Sequence, residues 1–453
     1  MSISGLFNIA RDAMASNQIA MDITGANIAN ANTPGYTRQR ANFTASGNVY
    51  VSYGQIDSGV RVDSIERLYD RYLEAQIVGQ APKTGFDAAR QEILGRVEAV
   101  FNESGSGGLT DSLSRFWNSW EALSANPTNQ AARYSVVSAA SNLASLFRES
   151  GNVLSGVRQD IQNSMVSTVN DINTLASGIA DLNAQIAGSG SQDGSANNLL
   201  DSRMELLRGL ADIINISYYE NSDGKISVLL PGGKLLVAGN IAEQLSMING
   251  NVVMENNPSE FLNGLITGGR LGAMIEMRET AVPGYLDSLD QLADGIVAAV
   301  NVQHQAGRDA YGAPGAVLFE PPTGAENMGV DAAILADPQK VAASSVTGND
   351  GENARLIGAI KDSLSMAAGA STFNGFYASL VGRVGAEVNA ASGSVDRNTA
   401  VSNLLMAQRE EASGVSMDEE MIKLMKYQFG YSAAGRLLKV ASDMLDVLMQ
   451  LGK

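Results

Sequence analysis

The 453-residue sequence contains no cysteine and a single histidine, His304. Without cysteine there is no disulfide framework and no thiolate that could act as a nucleophile or bind a metal. One imidazole is too few for a histidine metal cluster, and a catalytic histidine needs a partner that orients it. His304 lies near the end of a helical pattern, so we interpret it as a helix-end or surface residue. These absences argue against an enzyme.

Short motifs that bind phosphate or calcium are missing as well. The glycine-rich segments at 104–108 and 188–195 carry no Lys-Ser/Thr pair of a P-loop. The segment NDGEN at 349–353 has no spaced carboxylates for a calcium loop. We therefore predict loops at these places, and no catalytic residue, no cofactor and no metal.

The sequence also lacks a long apolar run. The N-terminus has no basic region followed by a continuous apolar core, and no run approaches the roughly 18 apolar residues of a membrane helix. The net charge is −17, with acidic residues spread along the chain, which argues against nucleic acid or an anionic membrane as a partner. We predict no nucleic-acid partner and no membrane insertion. If the protein leaves the cell, we expect that it uses no cleaved secretory signal.

Long helical patterns occupy both ends of the chain. From Ile3 to Ile28, apolar residues recur at alternating spacings of four and three, and a second apolar set lies beside them. Near the C-terminus the same spacing recurs at Leu424, Tyr427, Tyr431, Ala434, Leu438, Ala441, Leu445 and Leu448. Ser416 and Glu419 precede this stripe with the spacing of a capping box. The matched lengths predict that the two terminal helices pair.

Helical stripes fill much of the middle, at 154–186, 289–300 and 376–395, as is typical of a long antiparallel bundle. One segment, 216–239, differs, because Asp-Gly and Gly-Gly pairs separate runs rich in Ile, Val, Leu and Tyr. This pattern predicts β-hairpins. Gly, Pro and Ala dominate 308–350, where we predict loops with short strands.

These patterns predict a mainly α protein with a smaller β part. Its elements are paired N- and C-terminal coiled-coil helices, a long helical-bundle middle domain and a small β-rich outer insertion. The predicted domains are a terminal helical assembly domain at 1–65 with 413–453, a helical bundle at 66–211 with 262–412, a β-rich hairpin insertion at 212–261, and a loop and short-strand region, or reduced outer domain, at 308–350.

The N-terminal helix needs more neighbours than the chain supplies. It holds nine large apolar side chains between Ile3 and Ile28, whose full burial would yield about 15–25 kcal/mol. Ordering its backbone costs at least as much, at about 1–2 kcal/mol per residue. The C-terminal helix can cover only one stripe of this surface. The other neighbours are most simply further copies, so the pattern predicts a polymer built from paired terminal helices.

The segment NIANANTPGYTRQ at 27–39 resembles the N-terminal signature of the axial proteins of the bacterial flagellum, in which an Asn-rich motif ends in a T-P-G-aromatic turn. The C-terminal segment SGVSMDEEMIKLMKYQFGYSAAGRLLKVASDMLDVLMQL is similar to that of the hook-associated protein 1 family. So are ALSANPTNQAAR at 122–133, NNLLDSRMELLRGL at 197–210 and NVQHQAGRDAYGAPGAVLF at 301–319. The resemblance therefore runs from end to end of the chain.

This resemblance implies a structural subunit at the junction between hook and filament, on which the second junction protein and flagellin assemble. The implied partners are copies of itself, hook protein, the second junction protein and, before secretion, an export chaperone. The implied location is extracellular, after type III export. The outer region is modest compared with longer relatives, so we expect no large second β-domain. A flagellar hook or distal-rod structural protein is the alternative within the same class.

The predicted assembly interface combines the Asn-rich turn with one face of the C-terminal helix. Its members are Asn27, Asn30, Pro34, Gly35, Tyr36, Arg38, Arg40, Leu424, Tyr427, Tyr431, Leu438, Leu445 and Leu448. Asn27 and Asn30 share a helix face and would bridge neighbouring terminal helices. Pro-Gly is the usual centre of a type II turn. Arg38 and Arg40 would dock on acidic surface of this or an adjacent subunit.

Simpler interpretations remain open for these residues. The Asn-Pro-Gly segment is also what a helix end followed by a turn requires, and exposed arginines are often only solvated. Two other classes of function also remain: an extracellular enzyme, which would need a metal or nucleophile site, and a binding module in 212–261.

Overall fold

The computed structural model describes residues 3–51, 54–57, 59–102, 107–189, 195–320, 324–346 and 350–451. Helices account for 70% of it and strands for 12%, which confirms the mainly α class. Most of the two glycine-rich segments predicted as loops, and the start of NDGEN, lie outside the described residues.

The helices are long, as the apolar stripes predict. In chain order they are α1 (Ile3–Ala29), α2 (Arg71–Phe101), α3 (Leu109–Ala125), α4 (Gln130–Gly188), α5 (Ser195–Ile213), α6 (Gly269–Glu276), α7 (Val282–Ala306), α8 (Ala332–Ala336), α9 (Glu352–Ala359), α10 (Phe373–Ser413) and α11 (Met417–Leu451). The stripe at 154–186 is only part of α4, which begins where the Asn129 side chain accepts hydrogen bonds from the N–H groups of Ala131 and Ala132.

The strands form small antiparallel sheets. They are β1 (Gln39–Ala45), β2 (Asn48–Val51), β3 (Gly54–Asp57), β4 (Val60–Arg67), β5 (Ser217–Glu220), β6 (Ile226–Leu230), β7 (Lys234–Ala238), β8 (Ile241–Ala242), β9 (Leu245–Ile248), β10 (Asn251–Met254) and β11 (Asn257–Phe261). β1 pairs with β4 and β2 with β3, while β5–β8 and β9–β11 are two meanders. Gly224 and Gly232 (φ 78° each) make the tight turns predicted between β5, β6 and β7.

Strands β1 and β4 correct the prediction that 1–65 is helical throughout. Along β4 (VRVDSIER), half-buried and exposed residues largely alternate, which is a strand period. The prediction assigned this segment to the terminal helical domain together with the neighbouring Asn-rich motif, and it did not take account of the strand period. The region 308–346 contains isolated β-bridges and the short helix α8, in place of short strands.

The chain divides into two compact units whose bounds differ from the predicted domains. Unit 1 contains residues 1–85, 168–269 and 397–453, and unit 2 contains 86–167 and 270–396. The ranges of α2, α4 and α10 each include residues of both units. The predicted domains assigned each stripe whole, because periodicity carries no sign of where a continuous helix changes neighbours.

In unit 1, two asparagines of α4 connect that helix to both meanders. The Asn183 amide accepts from Ile226 N (3.0 Å) and donates to Ile226 O (2.8 Å). The Asn173 amide does the same with the N and O of Leu245, at 2.8 Å each. Each side chain thus satisfies backbone groups as a neighbouring strand would.

Unit 2 has an aromatic core that includes His304. Phe116, Trp117 and Trp120 of α3 are fully buried, and the His304 ring lies 6.0 Å from the Trp120 ring. His304 Nδ1 binds Ala316 O (2.6 Å), and Nε2 accepts from Ala342 N (2.9 Å). His304 is therefore a helix-end residue, as one prediction had it, but it is buried, because both ring nitrogens find backbone partners.

Candidate assembly surface

The turn after α1 has the predicted type II form. Tyr36 N donates to Thr33 O (3.2 Å), and Gly35 has φ 79°, a value that favours glycine. Asn30 makes only local contacts: its amide donates to Ala26 O (2.9 Å) and accepts from Thr33 Oγ1 (3.2 Å). Pro34 is exposed. Asn30 and Pro34 thus end the helix and shape the turn, and within the single chain the Asn30 side chain bonds to Ala26 and Thr33.

Asn27 is the centre of the contacts between the turn and α11. Its amide nitrogen donates to Gln39 O (2.8 Å) and to Glu420 Oε2 (2.9 Å). Its amide oxygen accepts from the Tyr36 hydroxyl (2.9 Å) and from Gln39 N (3.0 Å). All four hydrogen-bonding positions of this buried amide are therefore occupied. Asn27 bridges α1 to α11 within one chain.

Arg38 and Glu420 form the charged part of the same contact. Arg38 donates to Glu420 Oε1 (2.9 Å) and Glu419 Oε2 (2.6 Å). Burial alone raises the pKa of Glu420, but hydrogen bonds from Asn27, Lys423 and Arg38 outweigh it and hold that pKa below its usual value. Sequence analysis assigned Glu419 to a capping box with Ser416. In the structure, the Glu419 carboxylate accepts a hydrogen bond from Arg38. We call Asn27, Tyr36, Arg38 and Glu420 the turn clamp.

A buried ion cluster lies beneath the turn. Glu74 of α2 accepts from Arg409 of α10 (2.8 Å) and from Arg208 of α5 (3.2 Å to Nε). Arg409 also donates to Gly35 O (2.8 Å), which ties the turn to the cluster. Because both arginines share this carboxylate, loss of Glu74 would remove a charged partner from Arg409 and from Arg208, of which Arg208 would still contact Glu205 (3.0 Å).

A second buried pair binds the chain just after the turn. Asp201 of α5 accepts from Thr37 N (2.9 Å) and from Arg67 Nη1 (2.6 Å). Asn197, one turn earlier on α5, donates to Gln39 Oε1 (3.2 Å). The segment NNLLDSRMELLRGL therefore positions the Asn-rich turn, although the two are far apart in sequence.

α1 and α11 approach each other through small side chains. Ala10 and Ala20 of α1 and Ala434 and Ala441 of α11 are buried. A Cβ at Gly430 would lie 2.6 Å from Asn17 Oδ1, so a side chain at this position would have to displace the Asn17 amide. Of the predicted C-terminal stripe, Ala434 and Ala441 are therefore buried in this contact, the seam between α1 and α11, while Leu424, Tyr427, Tyr431 and Leu438 are half-buried.

Large apolar side chains of α11 face away from this seam. Leu445 is 43% and Leu448 55% exposed, and Phe429 is 75% exposed. At the tip of the pair, an open groove of about 490 Å³ is lined by Ile3, Leu6, Val440, Asp443, Met444, Val447 and Leu448. Leu445 and Leu448, which belong to the predicted assembly interface, are thus largely exposed in the single chain, and Leu448 lines the groove together with Ile3 and Leu6 of α1. Such a continuous apolar surface is typical of a protein interface.

Other predicted residues lie near the β1–β4 hairpin. Arg40 reaches Glu66 across the hairpin at 3.7 Å, and both side chains are more than half exposed, so solvation describes Arg40 best. The ring of Tyr427 lies 6.2 Å from that of Phe43 on β1.

Sequence reasoning missed the buried charges that support the turn: Glu74, Asp201, Arg208, Arg409 and Glu420. Asp201, Arg208 and Glu420 gave a signal only in that they belong to quoted motifs. The others lie in helices where a charged residue is by default assigned to solvent.

Comparison with known proteins agrees with this architecture. Residues 94–319 match the family model described as the flagellar hook-associated protein FlgK helical domain. Flagellar hook-associated protein 1 of Bacillus subtilis (strain 168) is 28% identical over 96% of each chain. That of Escherichia coli (strain K12) is 24% identical over 99% of this chain and 100% of the relative.

The chain belongs to the flagellar hook-associated protein 1 family. A solved structure of the flagellar hook junction protein FlgK from Burkholderia pseudomallei has the same fold, with a TM-score of 0.67 and 16% identity over 74% of this chain and 99% of that one. The alignment to hook-associated protein 1 of Salmonella typhimurium (strain LT2) extends over 556 positions. That relative therefore contains segments that this member of the family lacks.

Rod-protein models match only the ends of this hook-associated family member. Residues 7–37 match the flagella basal body rod protein model, and 400–451 match the C-terminal model of the flagellar basal body rod FlgEFG proteins. The turn clamp joins these two matched segments. Within the described residues, no helix is long and apolar enough to cross a membrane, and no three His, Cys, Asp or Glu side chains gather as a metal site requires.

Proposed function

We propose that this chain is a structural subunit of the junction between hook and filament of the bacterial flagellum, and that the α1–α11 pair with the turn clamp is its polymerising part. The observation that carries the proposal is the division of α11 into two faces. Small residues pack on α1, while large apolar residues such as Phe429 and Leu448 are exposed in the single chain. Neighbouring subunits would bury that outer face.

The partners follow from this position. Copies of the chain would form a layer, with hook protein on one side and the second junction protein on the other, and an export chaperone would hold the chain before secretion. We place the assembled protein outside the cell. It would act without catalysis, cofactor or metal.

The hook or distal-rod alternative is less well supported, because the rod-protein matches cover only the chain ends, whereas the hook-associated helical domain covers 94–319. Immunogold labelling of isolated flagella separates the two. Label at the junction supports the proposal, and label along the hook shaft would replace it with the alternative.

Leu448→Asp tests the outer face directly. The change places a carboxylate on a surface that is exposed in the monomer, so the monomer should melt as the wild type does. In the assembled layer the charge would be buried at every contact, at a cost of several kcal/mol each. Cells carrying it should build hooks without filaments. Ser432→Asp, at an exposed polar position of the same helix, should leave motility normal. Normal filaments with Leu448→Asp would contradict the proposal.

A further inference from the structure

Exposed methionines are confined to one short part of the chain. Of the 17 methionines, those in the described residues that are classed as exposed all lie between 406 and 449: Met406, Met417, Met421, Met425, Met444 and Met449. The remaining described methionines are buried or half-buried. Because the chain has no cysteine, thioethers are its only sulfur groups.

Three of these methionines form a stripe on α11. Met417, Met421 and Met425 follow one another at intervals of four residues, so they lie on one side of the helix. Their exposed fractions are 47%, 46% and 48%. Ile422 beside them is 61% exposed, and Phe429 continues the stripe. The stripe flanks Glu420 of the turn clamp along α11, on the apolar face that subunit contacts would bury in the proposed assembly.

We propose that Met417, Met421 and Met425 are an oxidation site that controls assembly: conversion to sulfoxide blocks polymerisation, and polymerisation in turn shields the sulfurs. The inference rests on the proposed function. In the reaction a thioether sulfur attacks one oxygen of a peroxide and forms the S–O bond. The O–O bond breaks, the peroxide is reduced to water, and the sulfur loses two electrons.

The physical consequence follows from polarity. A thioether packs as a flexible apolar group, whereas a sulfoxide carries a strong hydrogen-bond acceptor and a new chiral centre. Burying that oxygen without a donor costs affinity, by about tenfold for each sulfoxide. The monomer keeps its fold after oxidation, because these three side chains are exposed to solvent in the free chain.

Purified full-length protein is treated with hydrogen peroxide, and the sulfoxides are mapped by peptide mass spectrometry. The treated protein is then added to hook–basal bodies isolated from cells that lack it, and the fraction of hooks that bind the protein is counted. We expect sulfoxide at 417, 421 and 425 and a loss of binding of at least about tenfold. Met417→Leu/Met421→Leu/Met425→Leu is compared with its own binding before treatment, and peroxide should cause no further loss. A matched variant, Met204→Leu, changes a buried methionine and should stay sensitive.

Methionine sulfoxide reductases with a thiol reductant should restore binding of the oxidised wild type, which separates sulfoxide from other damage. Full binding by the wild type with sulfoxide at all three positions would overturn the proposal, as would a triple variant that is still inactivated. Failure of untreated wild type to bind hooks would instead reject the proposed function.

Discussion

At the scale of single residues, the amide of Asn27 makes the most complete set of hydrogen bonds in the turn clamp. Asn27 places both of its donors and both of its acceptor positions on partners, and one donor meets the Glu420 carboxylate. Aspartate has nearly the same shape but no donor, and it would put a second negative charge against Glu420.

We therefore expect Asn27→Asp to lower the free energy of unfolding of the terminal pair by about 2–4 kcal/mol. Hydrogen exchange at residues 33–40 and 417–424 should report the loss. Asn30→Asp is the matched control, because Asn30 bonds only locally, and it should cost well under half as much. Equal effects of the two changes would contradict the bridging role of Asn27.

His304 makes the stability of unit 2 depend on pH. Burial lowers its pKa from 6.5 to about 4. The unfolded chain takes up a proton below pH 6.5, whereas the folded chain does not until pH approaches 4. The contribution of neutral His304 to the free energy of unfolding of unit 2 is therefore fully present above pH 6.5 and is lost as the pH falls toward 4. Between pH 7 and pH 5 this loss is about 2 kcal/mol.

Urea unfolding at pH 7, 6 and 5, followed by tryptophan fluorescence, measures this effect, since Trp117 and Trp120 are buried near His304. The chain has no other histidine, so His304→Gln should remove most of the slope. A slope that persists in His304→Gln would assign the effect to other groups.

How far the sequence predicts this site can be seen by comparing Asn27 with Glu74. Asn27 lies in a dense local motif beside Pro34 and Gly35, and local propensity predicts both the helix end and the turn. Glu74 binds Arg409, 335 residues away. Nothing in the spacing of either residue predicts that contact, because it depends on how distant helices pack.

At the scale of elements, α1 and α11 show what periodicity does and does not predict. The spacing of apolar residues locates both helices to within about one turn of their ends. It does not predict which residues touch. The predicted stripe on α11 contains Ala434 and Ala441, which are buried, together with Leu445 and Leu448, which are exposed. Spacing alone does not separate the residues that pack on α1 from those that face solvent.

Two glycines of α11 test this close approach. A Cβ at Gly430 would meet the Asn17 amide, which already donates to Ala13 O (2.7 Å). A Cβ at Gly435 meets nothing within 4 Å. Gly435→Ala should therefore stabilise the chain by about 0.5–1 kcal/mol through helix propensity, while Gly430→Ala should lose that gain by displacing Asn17.

Thermal unfolding of the two variants gives the comparison. We expect the free energy of unfolding of Gly430→Ala to be lower than that of Gly435→Ala by about 1 kcal/mol or more. Identical melting curves would mean that the helices are not in contact at Gly430 in solution.

At the scale of the whole molecule, the two ends of the α1–α11 pair differ in how many contacts stabilise them in the free chain. The turn clamp, the Glu74 cluster and Asp201 hold the end near residues 27–38 and 420. At the other end, apolar side chains around Ile3 and Val447 line an open groove. Few buried contacts mean a low free energy of local opening.

Limited trypsin digestion of the monomer should therefore cut first at Arg11 and Lys439, which are exposed and lie toward the open end. Arg38 and Arg67, whose side chains are only 13% and 12% exposed in ion pairs, should resist. Assembled protein should lose the cuts at both early positions. Early cleavage at Arg38 would contradict the stability assigned to the clamp.

The contact between Asn27 and Glu420 has a consequence for the order of folding. These residues are 393 positions apart, and closing a loop of that length costs about 5 kcal/mol of chain entropy before any contact repays it. During synthesis, α1 emerges long before its partner exists. The surface proposed to join subunits can therefore form only when the last helix has been made, so we expect that a chain truncated before α11 cannot polymerise. Completeness of the polypeptide is in this way a condition for polymerisation.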